Sequence, residues 1–206
     1  MTVTIACIVE GHGEIEAVPV VVRRIAREAV PDLALQISPP FRVPRSRLVK
    51  SSELERTVEL AARRVGRAGG ILIVLDSDDD CPALLASELL QRAQDVRSDI
   101  PIRVILAKRE FEAWFLAAAE SLRGRRGLAG DLESPSEPES VRGAKEWLTA
   151  HMTEGRRYVE TLDQSALAAV FDLDRARQAR SFDKFFRDVL GLLQDFVQRS
   201  SQHPLG

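Results

Sequence analysis

The sequence predicts an α/β protein: a mostly parallel central sheet with flanking helices, followed by a helical C-terminal extension. Three observations carry that expectation. Aliphatic runs alternate with helical patterns through the first 122 residues, the rhythm of a sheet whose parallel strands are joined by helices. The two clearest runs, Val3 to Val9 and Ile71 to Leu75, show no polar alternation, as strands buried on both faces require. After Leu122 only helical patterns remain. At 206 residues, one compact unit is expected. It divides into an α/β part (1–122), a loop or linker (123–140) and a helical extension packed on the same domain (141–206).

The elements follow in order. Gly11 and Gly13 break the first strand, and Ala17, Val21, Ile25 and Ala29 mark a helix that Pro31 stops. A weaker strand runs through Leu33, Leu35 and Ile37 to Pro39 and Pro40. Phe41 to Lys50 has little periodicity and reads as a loop. Ser52 with Glu55 fits a capping box, opening a helix that ends at Gly69–Gly70. Ile71 to Leu75 is the third strand, followed by DSDDD, and Pro82 suits the first turn of a helix to about Arg97. Pro101 to Ala107 gives a fourth strand and Glu110 to Leu122 a fourth helix. Arg123 to Ser140, rich in Gly, Pro, Ser and charge, reads as a mobile connection. Helices are then expected over Val141 to Met152, from near Asp163 through Leu167 and Val170, and over Phe182 to Val197 with one continuous apolar face.

Composition narrows the function classes. With eight Phe, two Trp and one Tyr the core is mainly aliphatic. The 31 acidic residues against 29 Lys plus Arg give no general attraction to nucleic acid, so such binding requires a local patch. Cys7 and Cys81 do not make a disulfide framework, and a reduced, cytoplasmic protein is expected. The opening MTVTIACIVEGHGE lacks the pattern of a signal peptide, and no run approaches the ~20 apolar residues of a membrane span.

Two acidic features follow predicted strands: Glu10 in VEGHGE, and Asp76 and Asp78 in LDSDDD. In open α/β sheets, ligands bind outside the carboxyl ends of the strands, so carboxylates distant in sequence meet there. Unpaired carboxylates repel one another, and a hard divalent cation with oxygen ligands, Mg²⁺ or Mn²⁺, relieves that cost. An extended segment would point Asp76 and Asp78 the same way, with Ser77 leaving access between them. Glu14, Asp79 and Asp80 are further candidate ligands, weighed against simpler roles. Asp79 or Asp80 can cap the helix at Pro82, and Glu14 and Glu16 can offset a helix dipole. His12, a lone glycine-flanked histidine, reads as a surface residue, and the glycines of EGHGE supply backbone freedom.

An apolar strand ending in EG, then a later one ending in DxD, resembles the Toprim domain of topoisomerases, bacterial-type primases and overcoming-lysogenization-defect nucleases. IVEGHGE and ILIVLDSDDD carry that likeness over about residues 1–120. AKREFEAWFLA, followed by Lys145, Tyr158, Gln164 and Ser181–Phe182, resembles a bacterial Toprim-like family of unknown function over nearly the whole chain. The resemblance implies a Toprim-like fold, with Glu10 as metal ligand or general acid/base and Asp76 and Asp78 as ligands of Mg²⁺ or Mn²⁺. It also implies an AAA-type ATPase partner and a role in phage defence or DNA maintenance. The chain departs from the topoisomerases in having no convincingly placed nucleophilic tyrosine and no ATPase motif of its own.

Lys108, Glu110 and Glu112 follow the fourth strand, at the edge that carries the acidic residues. Glu110 or Glu112 would complete a metal site, Glu112 is also a catalytic candidate, and Lys108 would hold a phosphate or a transition-state charge; the alternative is ion pairing and a first-turn helix role. Trp114 and Phe115 read as packing. Arg42, Arg45, Arg47 and Lys50 form the best local basic patch for a nucleic-acid backbone, DNA or RNA. The leading expectation is a metal-dependent nuclease or related phosphoryl-transfer effector. The alternatives are a non-catalytic binding subunit and a haloacid-dehalogenase-type phosphatase, whose DxD motif belongs on a first strand rather than a third.

Overall fold

A computed structural model describes residues 2–50, 52–153 and 155–202. In chain order, β1 (Val3–Val9) leads into α1 (Glu14–Ala29), β2 (Leu35–Ile37), β3 (Phe41–Arg42), α2 (Arg45–Lys50) and α3 (Glu53–Val65). Then come β4 (Gly70–Asp76), α4 (Pro82–Val96), β5 (Ile102–Ala107) and α5 (Ala113–Ala117). The extension holds α6 (Ala144–Ala150), α7 (Glu160–Ala168), α8 (Leu173–Ala176) and α9 (Arg180–Gln202). All strand pairings are parallel, in the order β2-β1-β4-β5, with β3 also on β1. The predicted α/β class with a helical extension is therefore what the chain forms.

Each sheet face carries its own core. Val3, Ile5, Cys7 and Val9 of β1, Leu72 and Val74 of β4, and Ile105 and Ala107 of β5 face α1 and the extension. Ala6, Ile8, Ile71, Ile73, Leu75, Val104 and Leu106 face α3 and α4. This two-sided burial explains why the strands read as unbroken apolar runs. Burial pushes the Cys7 thiol up to about 12; both cysteines are free, with Cys81 exposed. Among the described residues no helix is long and apolar enough to cross a membrane.

β1 is followed by strands on both its sides: the chain first adds β2 and β3 on one edge, then crosses to add β4 on the other. The carboxyl ends of β1 and β4 thus flank the point where strand order reverses, and there a crevice opens.

Several elements differ from expectation. The stretch predicted as a loop, Phe41 to Lys50, holds β3 and α2. Pro39 and Pro40 interrupt the edge strand, because proline cannot donate to the ladder. Pairing then resumes with Phe41 beside Ile8 and Arg42 beside Val9. With that extra strand, the DxD segment follows the fourth strand rather than the third. Ser52 makes no side-chain cap, and Glu55 instead grips Arg92 of α4 at 2.7 and 3.1 Å. Neither Asp79 nor Asp80 caps α4: its N-cap is Cys81, and the two aspartates pair with arginines. The helix expected over Glu110 to Leu122 is α5 plus a 3₁₀ turn at Ala119–Leu122, and that expected over Val141 to Met152 is the shorter α6. The 123–140 segment is irregular, yet it buries Leu128 and Leu132 in the core beneath the extension. Trp114 and Phe115 are wholly buried with Phe111, Phe171, Phe182 and Phe185, an aromatic cluster tying α5 to the bend before α8 and to α9.

Candidate functional site

A cleft of about 390 Å³ opens at the reversal point. Glu10, Gly11, His12 and Glu14 form one side, Asp76 the floor, Arg42, Pro44, Arg45 and Ser46 the facing wall, and Lys145, Glu160 and Gln164 the roof.

Glu10 stands one residue past β1. Its Oε2 is buried without a hydrogen-bond partner, and its pKa is raised by burial and then by the charge of Asp78. Glu14 is 2% exposed at the start of α1. Its Oε2 turns back to accept the backbone N–H groups of Glu10 and Gly11, at 3.0 and 3.1 Å. Burial outweighs those bonds and lifts it to about 7. Glu14 therefore shapes the turn carrying Glu10, a more specific role than offsetting a helix dipole. Glu16 stays at the surface, within 3.3 Å of the Ser165 hydroxyl.

Asp76 ends β4 in the floor, its Oδ1 accepting the Phe111 N–H at 2.7 Å. Its pKa rises well above the carboxylate range through burial, then through the nearby charges of Glu14 and Glu112. Asp78 does not point the same way. Its φ of 50° puts it in the left-handed region that aspartate tolerates better than most side chains. The extended run stops at Asp76, and the Asp78 carboxylate lies 63% exposed, 3.6 Å from Arg45. Ser77 is fully buried rather than an access gap, and its hydroxyl accepts the Arg109 N–H at 3.0 Å. Asp79 pairs with Arg109 and Arg142, and Asp80 with Arg45.

Glu112 is the most enclosed of the acids, with no exposed surface. Its Oε1 accepts from Tyr158 Oη at 2.9 Å and Gln164 Nε2 at 3.0 Å, while Oε2 faces Lys145 Nζ at 3.5 Å. Burial raises its pKa, with Lys145 and then Tyr158 opposing. Lys145 Nζ also reaches Glu160 at 3.5 Å and Glu110 at 4.0 Å. Burial alone would lower its pKa, but Glu112, Asp76, Glu160 and Glu110 together raise it, so the ammonium stays charged. Glu110 lies beside the cleft rather than in it, its Oε1 accepting the Ala144 N–H at 3.1 Å.

The expected lysine stands outside the cleft. Lys108 is exposed and lines other cavities, on the β5 side; the lysine among the carboxylates is Lys145. The basic patch divides as well. Arg42 and Arg45 line the cleft, and Arg45 is held by the carbonyls of Asp76 and Ser77 at 3.0 and 3.4 Å. Arg47 and Lys50 lie exposed farther along α2, outside the cleft. His12 is exposed at the rim.

A family model covering residues 9–190, described as a domain of unknown function, matches this sequence. The chain belongs to that family, DUF4276. Its span takes in both Glu10 and the roof of the cleft. No curated protein and no solved structure matches.

Lys145, Tyr158, Glu160 and Gln164 were not predicted as site residues, although Lys145, Tyr158 and Gln164 stood among the positions of the narrower resemblance. The signal for their placement is Gly13. A Cβ there would meet Gln164 Oε1 at 2.4 Å and Glu160 at 2.8 Å, and the Gly13 N–H donates to Glu160 Oε1 at 3.0 Å. The glycine is bare so that α7 can dock.

Among the described residues, no group of three or more His, Cys, Asp and Glu side chains is arranged to hold a metal ion. The reason is visible in the bonds: Glu14 is committed to backbone amides, Asp76 to Phe111, Glu112 to Tyr158 and Gln164, and Asp78 faces outward. The donor chemistry nonetheless suits a hard cation. Glu10 keeps a buried oxygen without a partner beside Asp76, and the acids raise one another's pKa values.

Proposed function

We propose that the chain is a Mg²⁺- or Mn²⁺-dependent nuclease of Toprim type, hydrolysing phosphodiester bonds in nucleic acid. The observation carrying this reading is the convergence of Glu10, Asp76, Glu14 and Glu112 around Lys145, at the crevice between β1 and β4. Buried carboxylates in that number need protons or a cation, and a site that perturbs its acids in this way is a functional candidate on physical grounds.

Glu10 and Asp76 would hold the ion, with Glu14 close behind Glu10. A bound divalent ion supplies charge neutralisation and lowers the pKa of a coordinated water. The remaining chemistry belongs to the chain. Lys145 brings a fixed positive charge to the phosphoryl oxygens, where preorganised charge has most effect. Tyr158 and Gln164 hold Glu112, and Glu112 holds Lys145 in place. Arg42, on the opposite wall, meets the backbone of the strand, and Arg45 fixes the position of that wall. The narrower family resemblance implies an AAA-type ATPase partner, and the two free cysteines suit a reduced, cytoplasmic setting.

The test is cleavage of single- and double-stranded DNA and RNA by purified protein with Mn²⁺ or Mg²⁺, alone and with a cognate ATPase. Glu10→Gln and Asp76→Asn should each abolish cleavage while the fold persists by circular dichroism. Metal binding without cleavage under every condition would assign a non-catalytic binding subunit instead.

A further inference from the structure

A second cavity of about 390 Å³ lies on the β5 side of the sheet, between α4 and the start of α9. Pro82, Ala83 and Ala86 of α4 and Leu106 of β5 give it apolar walls, with Lys108, Arg180 and Lys184 among its other lining residues. Its size falls within the range of about 300–1,000 Å³ typical of small-molecule sites, which combine apolar walls with a few placed polar groups.

The polar groups of its lining are largely engaged already. Glu139 accepts the N–H groups of Arg180 and Ser181 at 3.0 and 2.9 Å, closing the end of α9. The Ser181 hydroxyl accepts the Trp114 Nε1–H at 2.8 Å and the Lys108 N–H at 3.2 Å. Lys184 is paired with Asp188. Among the described residues, that leaves two cations with no ion pair, the Lys108 ammonium and the Arg180 guanidinium. Both also line a neighbouring cavity of about 320 Å³.

We propose that this cavity binds a small amphipathic anion, an apolar body carrying one carboxylate or phosphate, with Lys108 and Arg180 holding the charge. Lys108 and Arg180 are both exposed, so an apolar ligand covering them would strip water from two charges and give neither a partner. An inorganic anion alone would leave the walls of Pro82, Ala83, Ala86 and Leu106 against water. The proposal is independent of the nuclease reading, because none of these side chains lines the carboxylate cleft.

Calorimetric titration of the full chain with 2-naphthoate, naphthalene-2-carboxamide and inorganic phosphate tests it. The carboxylate should bind at least about tenfold more tightly than either other probe. The Lys108→Met/Arg180→Met variant should lose about tenfold or more in naphthoate affinity, and Ala83→Trp, which fills the cavity from its exposed rim, should bind none. Thermal melts check that both variants fold, and the charge and filling variants stand in for one another if one does not. The proposal is overturned if the carboxamide or phosphate binds as tightly as naphthoate. It is equally overturned if the folded variants bind naphthoate as wild type does, or if wild type binds no naphthoate.

Discussion

Lys145→Met removes the positive charge held among Glu112, Glu160 and Glu110. Deleting one partner of a fully buried ion pair costs about 3–5 kcal/mol, since the surviving charge stays buried. The Lys145 side chain is 36% exposed, so water takes up part of that loss and about 2–3 kcal/mol is expected. For a chain of this length that lowers Tm by about 5–10 °C. The penalty must depend on pH. Without Lys145 the folded-state pKa of Glu112 rises further above its ordinary 4.5. An acid whose folded pKa lies above its unfolded value loses stability as pH rises through that interval, because the folded state binds the extra proton. The loss should therefore be large near about pH 8 and small near about pH 5. Urea unfolding at both pH values, with a chelator present, measures it. Adding Glu112→Gln to Lys145→Met should recover at least about half of the loss near pH 8, since the amide keeps the shape without the charge. An equal penalty at both pH values, or no recovery in the double variant, refutes the assignment of Lys145 as the counter-charge of this cluster.

Three further outcomes follow from individual contacts. In Mn²⁺ titrations by calorimetry, Asp76→Asn should remove binding, whereas Asp78→Asn, altering an exposed carboxylate paired with Arg45, should weaken it less. Gly13→Ala should destabilise by about 2–4 kcal/mol in chemical denaturation, as overpacking against Gln164 and Glu160 adds to the loss of a charged hydrogen bond. Gly191→Ala, inside α9 with open space where its Cβ would stand, should stabilise by up to about 1 kcal/mol in the same assay.

The sheet was legible because its strands are buried on both faces and carry unbroken aliphatic runs. β3 was hidden because two residues after a double proline have no period to read, and α2 because six residues bury only Leu48. That Glu10 and Asp76 meet follows from a rule of topology, since residues just past or at the ends of central strands come together at one edge. Asp78 was misplaced because sequence spacing assumes an extended chain, whereas one residue with φ 50° redirects its carboxylate. Lys108 stands out in the sequence only by its nearness to a strand end. Lys145 lies much farther along the chain, and no periodicity shows that a helix start will be folded over a cleft built by β1 and β4.

That folding back bears on where the functional unit ends. The α/β part alone brings Glu10, Glu14, Asp76 and Glu112 together, a charge that Arg45 offsets poorly because it is engaged by Asp78 and Asp80. The extension supplies Lys145 for that charge, and Tyr158 and Gln164 for the lone pairs of Glu112. It also adds a further acid, Glu160, whose two oxygens are divided between Lys145 and the Gly13 amide. Each half thus holds polar groups that would be costly to bury without the other. Gly13 is where the two are fitted, since any side chain there would push α7 away from the cleft. The boundary read at residues 123–140 divides two patterns of sequence, but the site is built from both sides of it.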